Sequence, residues 1–201
     1  LVNEGERGRK HCEAKLKSAE LIFCLDFNAI SRLEDFGKHI VESTAVKVMI
    51  DHHQQPETEA FDYGISDVSK SSTCEMVYDF IHNSPNRSLL NSNIATCLYT
   101  GILTDTGSFR FPSATANVHE VAAALKETGI DHTAIFENIY DNFSEGRLRF
   151  IGNALLNRME VLYEYNTALM AIPQKDLIKY EIKTGDTEGL VNYLLTIEGI
   201  R

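Results

Sequence analysis

The stretch "VKVMIDHHQQPE", residues 46–57, is a short apolar run that ends in an acid and two histidines. Its beginning predicts a buried strand, because a short run rich in valine and isoleucine is typical of a strand covered on both faces. Asp51, His52 and His53 follow where such a strand would leave the core. Acids and imidazoles at that position need partners, and a metal ion suits both kinds of side chain. The stretch therefore predicts a strand that ends in a metal site.

A second apolar run has the same ending. Residues 20–25 lead into Asp26, and residues 30–40 then have apolar side chains close to helical spacing. Strand, helix and strand within about 30 residues predict a right-handed βαβ unit with parallel strands. Asp26 and Asp51 would then share the carboxyl edge of the sheet, where open α/β sheets bind ligands. We expect an α/β fold whose parallel sheet has helices on both faces.

The pattern downstream is mainly helical. In "SSTCEMVYDFIH", Ser72 and Glu75 have the spacing of a capping box, which favours a structural role over a substrate role for both. A largely apolar helix starts near Ser92 and runs into a Thr-Asp-Thr-Gly turn. An amphipathic helix is predicted over residues 117–129, and a helical stretch over residues 131–158.

Around residue 159 the pattern changes again. Two strands joined at Asn166 are predicted, then a short helix after Pro173. Gly185 and Gly189 bracket a predicted turn or helix, which a strand follows. The predicted organisation is a catalytic domain, a linking helix and the beginning of a smaller α+β substrate domain, over residues 1–147, 148–158 and 159–201.

Composition limits the functional classes. The formal charge of −10 argues against a surface that binds the phosphates of long duplex nucleic acid. Bound divalent metals would still allow a small anionic substrate. The four cysteines include no CxxC pair, and Cys24 and Cys97 are predicted to be buried. This favours the cytoplasm. No apolar stretch reaches the roughly 18 residues that span a bilayer, so no membrane partner is expected.

The metal-capable side chains at the predicted edge are oxygen and imidazole donors without thiolate. They are Asp26, Asp51, His52, His53 and Asp105. Such a set suits manganese or magnesium, and less exclusively iron, cobalt or zinc. Two metals bridged by carboxylate would clamp a phosphate and activate water, but these residues are too few to complete two coordination shells. The alternative is a group of surface acids beside a satisfied histidine pair.

Three motifs in order resemble the DHH phosphoesterase family: "CLDFN", "MIDHH" and "GILTDTGSFRF". "PSATANVHEVAAALKETGID" and "GDTEGLVN" resemble its nanoRNase/pAp phosphatase branch, so that the resemblance covers residues 20–198. It implies hydrolysis of very short RNA oligomers and of 3′-phosphoadenosine 5′-phosphate with two divalent ions. Manganese is expected, with magnesium or cobalt as alternatives.

The resemblance also implies a role for each motif residue. Asp26 and Asp105 would bridge two metals, and His52 would bind one of them. Asp51 would not bind metal itself but would hold the His52 ring in position. His53 would face the scissile phosphate, where it would stabilise charge or protonate the leaving group.

Arg110 is the expected phosphate contact, and the alternative is a solvated residue on a strand between Phe109 and Phe111. The family's His-x-x-x-Asp-x-Asp motif and its glycine-rich, histidine-containing motif have no match here. We therefore expect the chain to be an interior part of a longer enzyme, and residues 1–201 alone to be inactive.

Related alternatives are an exopolyphosphatase, a cyclic-dinucleotide phosphodiesterase or a single-strand exonuclease. A non-catalytic nucleotide-binding or scaffold protein is the alternative from another class. The oligomeric state is left open.

Overall fold

The chain forms two compact units, Leu1–Ile135 and Phe136–Arg201. A computed structural model describes residues 5–200 of them. The division between the units precedes the predicted boundary at residue 147. The catalytic and substrate-binding identities of the two parts stay predictions.

A three-stranded parallel sheet lies in the first unit. Its strands are β1 (Leu21–Leu25), β2 (Val46–Asp51) and β3 (Tyr63–Ser66), in that spatial order. Leu25 pairs with Ile50 at the end of β1. The ends of β1 and β2 therefore lie side by side at the carboxyl edge, as the sequence predicts.

One face of the sheet is covered by α1 (Gly5–Ser18), by a 3₁₀ helix (Ile30–Phe36) and by α2 (Gly37–Val41). Alternate residues of β1 point into this layer. The buried residues of this layer and the sheet include Ile22, Cys24, Ile30, Ile40, Ala45, Met49 and Phe61.

The opposite face is covered by α3 (Thr73–His82), which packs against β2. Phe23 of β1 contacts Phe80 of α3 edge to face, with ring centroids 6.0 Å apart. Helices on both faces confirm the predicted α/β class.

Two further helices, α4 (Ser92–Asp105) and α5 (Ala116–Glu127), pack in sequence behind α3. Short 3₁₀ helices lie at Thr58–Ala60 and Arg87–Leu89. The helix α6 (His132–Tyr140) follows.

The division between the units falls within α6. In the second unit, α7 (Glu145–Asn157) precedes the antiparallel pair β4 (Met159–Leu162) and β5 (Thr167–Met170). A 3₁₀ turn at Tyr163–Tyr165 joins these strands, and Asn166 adopts the left-handed conformation with φ 49°. The predicted strand pair joined at Asn166 is confirmed.

The remaining helices of this unit are α8 (Gln174–Lys179) and α9 (Leu190–Leu194). Its core contains Phe150, Ile151, Ala154 and Leu190. The predicted helix after Pro173 is confirmed. The predicted strand after Gly189 is wrong, because α9 begins there and turns follow it.

Several other expectations need correction. The helical stretch predicted over 131–158 is interrupted at residues 141–144, so the predicted linking helix is the latter part of α7. The sequence did not predict α1 or β3. Cys97 is exposed rather than buried, whereas Cys24 is buried as expected. In the described residues, no helix combines the length and apolar character needed to cross a membrane.

Candidate metal centre

Asp26 lies immediately after β1 at the carboxyl edge of the sheet. Its N–H donates to the carbonyl of Ile50 at 3.2 Å, which continues the ladder, and its φ of 66° turns the chain away. Aspartate tolerates this left-handed conformation better than most residues. The Asp26 side chain is 56% exposed, and its Oδ1 accepts a hydrogen bond from Thr73 Oγ1 at 2.9 Å. The carboxylate is therefore oriented at the site and open to solvent.

Asp51 is fully buried at the end of β2 and holds His53. Its Oδ2 accepts from the His53 backbone N–H at 2.9 Å, and its Oδ1 lies 2.8 Å from His53 Nδ1. Because a carboxylate oxygen accepts, this contact places the proton on Nδ1 and leaves the Nε2 lone pair free. In this structure Asp51 contacts His53 and not the expected His52, since the chain turns after β2 and brings the second histidine back to the acid.

His52 has a different partner. Its Nδ1 lies 3.3 Å from the backbone carbonyl of Lys70, and its Nε2 lies 3.6 Å from Asp26 Oδ1. A carbonyl oxygen only accepts, so Nδ1 of His52 is again the protonated nitrogen. The Nε2 lone pair then faces a carboxylate, which is an arrangement that a cation between them would stabilise.

Asp26, His52 and His53 together form a compact donor group. One ligand atom from each lies within 4.8 Å of the other two. The two imidazole rings are 4.7 Å apart and inclined at 67°. One carboxylate oxygen and two unprotonated ring nitrogens fit a divalent cation of the manganese, magnesium or zinc class. The structure thus brings these three predicted residues together.

Asp105, the last residue of α4, lies outside this group of three but close enough to interact with it. Partial burial raises the pKa of its carboxyl, the charge of Asp26 raises it further, and His52 and His53 lower it. The mutual effect of the two aspartates is that of like charges in one site. A bound cation would relieve this repulsion, so Asp105 suits the role of a second carboxylate.

The turn after Asp105 is held by Thr106. This fully buried residue donates its hydroxyl to the Ile102 carbonyl at 2.7 Å and accepts from the Phe109 N–H at 3.0 Å. Gly107 and the next two residues have φ of 56°, 61° and 63°. A Cβ at Gly107 would lie 2.6–2.9 Å from the Phe111 ring, which would have to move, so glycine suits this position.

Arg110 is an exposed residue in this turn, with its guanidinium carbon 5.5 Å from the Phe111 ring centroid. The alternative that placed it on a strand is wrong, since residues 106–112 form turns and bends. Its contact with phosphate stays a prediction.

The start of α3 supplies two contacts that the sequence did not predict. These are the Thr73 hydroxyl on Asp26 and the Lys70 carbonyl on His52. One of the two hydrogen bonds of the predicted capping box forms, because Ser72 Oγ accepts from the Glu75 N–H at 3.1 Å. The Glu75 carboxylate bonds to the N–H of Ser71 at 2.8 Å, one residue before the expected partner.

Known proteins resemble this chain in sequence and in fold. The sequence pattern described as "DHH family, N-terminal domain" matches residues 3–102. The bifunctional oligoribonuclease and PAP phosphatase NrnA of Bacillus subtilis is 29% identical over 161 residues, which are 79% of this chain and 50% of that protein. The cyclic-di-AMP phosphodiesterase GdpP of the same organism is 28% identical over 131 residues, 64% of this chain and 19% of that protein.

Among solved structures, an exopolyphosphatase-related protein from Bacteroides fragilis superposes with a TM-score of 0.92 and 35% identity. The match covers 97% of this chain and 57% of that one. The chain thus spans about half the length of NrnA and of this structural neighbour. The matched pattern contains the Asp-His-His sequence and Asp26, and the superposition extends past Asp105. The chain belongs to the DHH family.

Proposed function

We propose that this protein is a metal-dependent phosphoesterase. Its substrates are very short oligoribonucleotides and 3′-phosphoadenosine 5′-phosphate. The observation that supports this most strongly is the convergence of Asp26, His52 and His53 within 4.8 Å at the carboxyl edge of the sheet. Both ring Nδ1 atoms are engaged by acceptors, so both Nε2 atoms are free for a cation or a substrate.

In this proposal Asp26, Asp105 and His52 are the residues that would hold the divalent ions, with the two carboxylates as the shared ligands. Manganese is the expected ion, because oxygen donors with imidazole suit it. Such ions, when bound, activate a water molecule and neutralise the phosphate charge. Thr73 fixes the orientation of Asp26, and the Lys70 carbonyl fixes that of His52.

His53 is the proposed catalytic residue. Its Nδ1–H donates a hydrogen bond to the buried Asp51 carboxylate, which fixes the orientation of the ring. When the ring carries a second proton, Nε2 would donate a hydrogen bond to a phosphate oxygen or that proton to the leaving oxygen. Arg110, exposed in the turn after Asp105, is the proposed second contact to phosphate.

Two other substrates have a specific observation in their favour. The structural neighbour is named as exopolyphosphatase-related, and one relative is named as a cyclic-di-AMP phosphodiesterase. The short-oligonucleotide proposal is preferred because the NrnA relative matches a larger share of this chain than GdpP does.

Initial rates with four substrates test the proposal. The full-length protein with manganese would be given 3′-phosphoadenosine 5′-phosphate, a ribodinucleotide, inorganic polyphosphate and cyclic di-AMP. We expect hydrolysis of the first two, abolished by a chelator and restored by manganese. Asp35→Asn, which changes an exposed acid of the 3₁₀ helix, serves as a control with unchanged rates. Hydrolysis of polyphosphate or cyclic di-AMP alone would contradict the proposed substrates. Activity that survives chelation would contradict the proposed metal dependence.

A further inference from the structure

Glu75 is a buried carboxylate with four donors around it. Its Oε2 accepts from the Ser71 N–H and the Ser71 hydroxyl, each at 2.8 Å. Its Oε1 accepts from Lys70 Nζ at 3.2 Å and from Asn117 Nδ2 at 2.8 Å. The residue is only 2% exposed. A buried charge satisfied on both oxygens is held in one position, because losing a partner would cost free energy.

The peptide unit between Lys70 and Ser71 links this carboxylate to His52. Its N–H donates to Glu75, and its carbonyl faces His52 Nδ1 at 3.3 Å. In a planar trans peptide the N–H and the carbonyl point in opposite directions, so fixing one fixes the other. An N–H bonded to a carboxylate also makes the carbonyl of the same unit a stronger acceptor.

We propose that Glu75 is a positioning residue for His52. Through the Lys70–Ser71 peptide, it holds the carbonyl that binds the Nδ1–H of His52 and so directs the Nε2 lone pair towards Asp26. The consequence for metal binding rests on the proposed function, whereas the protonation pattern of the ring does not.

A purely structural role is the competing explanation. Ser72 Oγ caps the helix through the Glu75 backbone N–H, which does not require the Glu75 side chain. Lys70 Nζ also has a second carboxylate, Asp79 Oδ2, at 2.6 Å. If Glu75 only stabilised the start of α3, its replacement would change the unfolding free energy and leave the His52 ring as it is.

Nitrogen NMR of the imidazole rings separates the two explanations. The sample is the full-length, metal-free protein with ¹⁵N-labelled histidine, and His52→Ala identifies the His52 signals. Wild type should show a protonated Nδ1 and an unprotonated Nε2 at His52. Glu75→Ala removes the acceptor. Glu75→Asp keeps the charge but is too short to reach Ser71, so it provides the test if the alanine variant fails to fold.

In both disruptive variants we expect His52 to lose its single tautomer and become a mixture. Glu75→Gln, which keeps an oxygen for the Ser71 N–H, should retain most of the wild-type pattern. Asp79→Asn is the matched control, because it removes the other carboxylate on Lys70 and leaves the peptide unit untouched. An Nε2-protonated His52 in wild type, or an unchanged tautomer in both disruptive variants, would overturn the proposal.

Manganese titration of the same variants tests the link to the metal. Loss of an indirect support of a metal-binding histidine costs about 10–100-fold in affinity. We expect a loss of that size in Glu75→Asp and none in Asp79→Asn. A shifted tautomer with unchanged manganese affinity would support the positioning role of Glu75. The same result would overturn the assignment of His52 as a metal ligand.

Discussion

The hydroxyl of Thr73 lies 2.9 Å from Oδ1 of Asp26, so the first residue of α3 orients the carboxylate at the end of β1. The same oxygen is 3.6 Å from His52 Nε2. A short segment at the start of α3 thus supports both proposed ligands, Asp26 by a side chain and His52 by the Lys70 carbonyl.

Thr73→Val should weaken manganese binding by about 10–100-fold, because it keeps the side-chain shape and removes the donor that orients Asp26. Isothermal titration of the full-length protein measures this. Thr73→Ser keeps the hydroxyl and is the control. Equal affinities in the valine and serine variants would show that the hydrogen bond does not matter for the site.

The two histidines should respond differently to alanine. His53→Ala should lower turnover by roughly 100-fold or more and leave manganese affinity nearly intact, as expected for a lost proton donor or charge stabiliser. His52→Ala should lower manganese affinity first, because it removes a ligand. Turnover and metal titrations on both variants check this, with His11→Ala on the exposed side of α1 as the control. An equal loss of metal in both would place His53 among the ligands.

Acid stability offers a test of the buried Glu75. Burial raises the pKa of this carboxyl, but hydrogen bonds from the Ser71 backbone and side chain, from Asn117 and from Lys70 outweigh it, so the net pKa lies below its ordinary value. With an unfolded pKa of about 4.3, its contribution is fully present above that pH and is lost as the pH falls through the lower folded value.

Glu75→Gln should therefore flatten the fall of the unfolding free energy below pH ~4. Urea unfolding between about pH 6 and pH 3 measures the difference from wild type. Glu120→Gln, an exposed acid of α5, is the control. Parallel curves for wild type and the Glu75 variant would contradict the lowered pKa.

The packing of α3 on α4 depends on a glycine. A Cβ at Gly101 would overlap with Cys74 Sγ and lie 3.0 Å from its Cβ. Gly101→Ala should therefore cost about 1–3 kcal/mol of unfolding free energy. Adding Cys74→Ala removes the sulfur and should recover part of that loss. A strictly additive double-mutant cycle would contradict the contact.

The sequence predicted the parts of the site that are local. Two apolar runs ending in Asp26 and Asp51 predict parallel strands with a shared carboxyl edge, since the βαβ connection permits little else. The turn after Asp105 has its own glycine signal. These features do not depend on distant contacts.

The parts that the sequence could not predict depend on tertiary contacts. The acceptor for His52 is the backbone carbonyl of Lys70. Because every residue type has a backbone carbonyl, the sequence does not indicate this contact. Whether Asp51 bonds to His52 or to His53 depends on how the chain turns after β2. β3 is an edge strand with four exposed residues and no alternating burial pattern. The apolar run at Leu190–Leu194 suits a helix or a strand equally by periodicity, and the structure has a helix there.

We propose Asp26, His52 and Asp105 as the residues that hold the catalytic ions. Crystals of the full-length protein grown with manganese, with anomalous data collected for wild type and Asp26→Asn, test it most directly. We predict two strong peaks in wild type, both next to the Asp26 carboxylate, and the loss of at least one in the variant. Two full-occupancy peaks in Asp26→Asn, or wild-type peaks away from these three residues, would contradict the account.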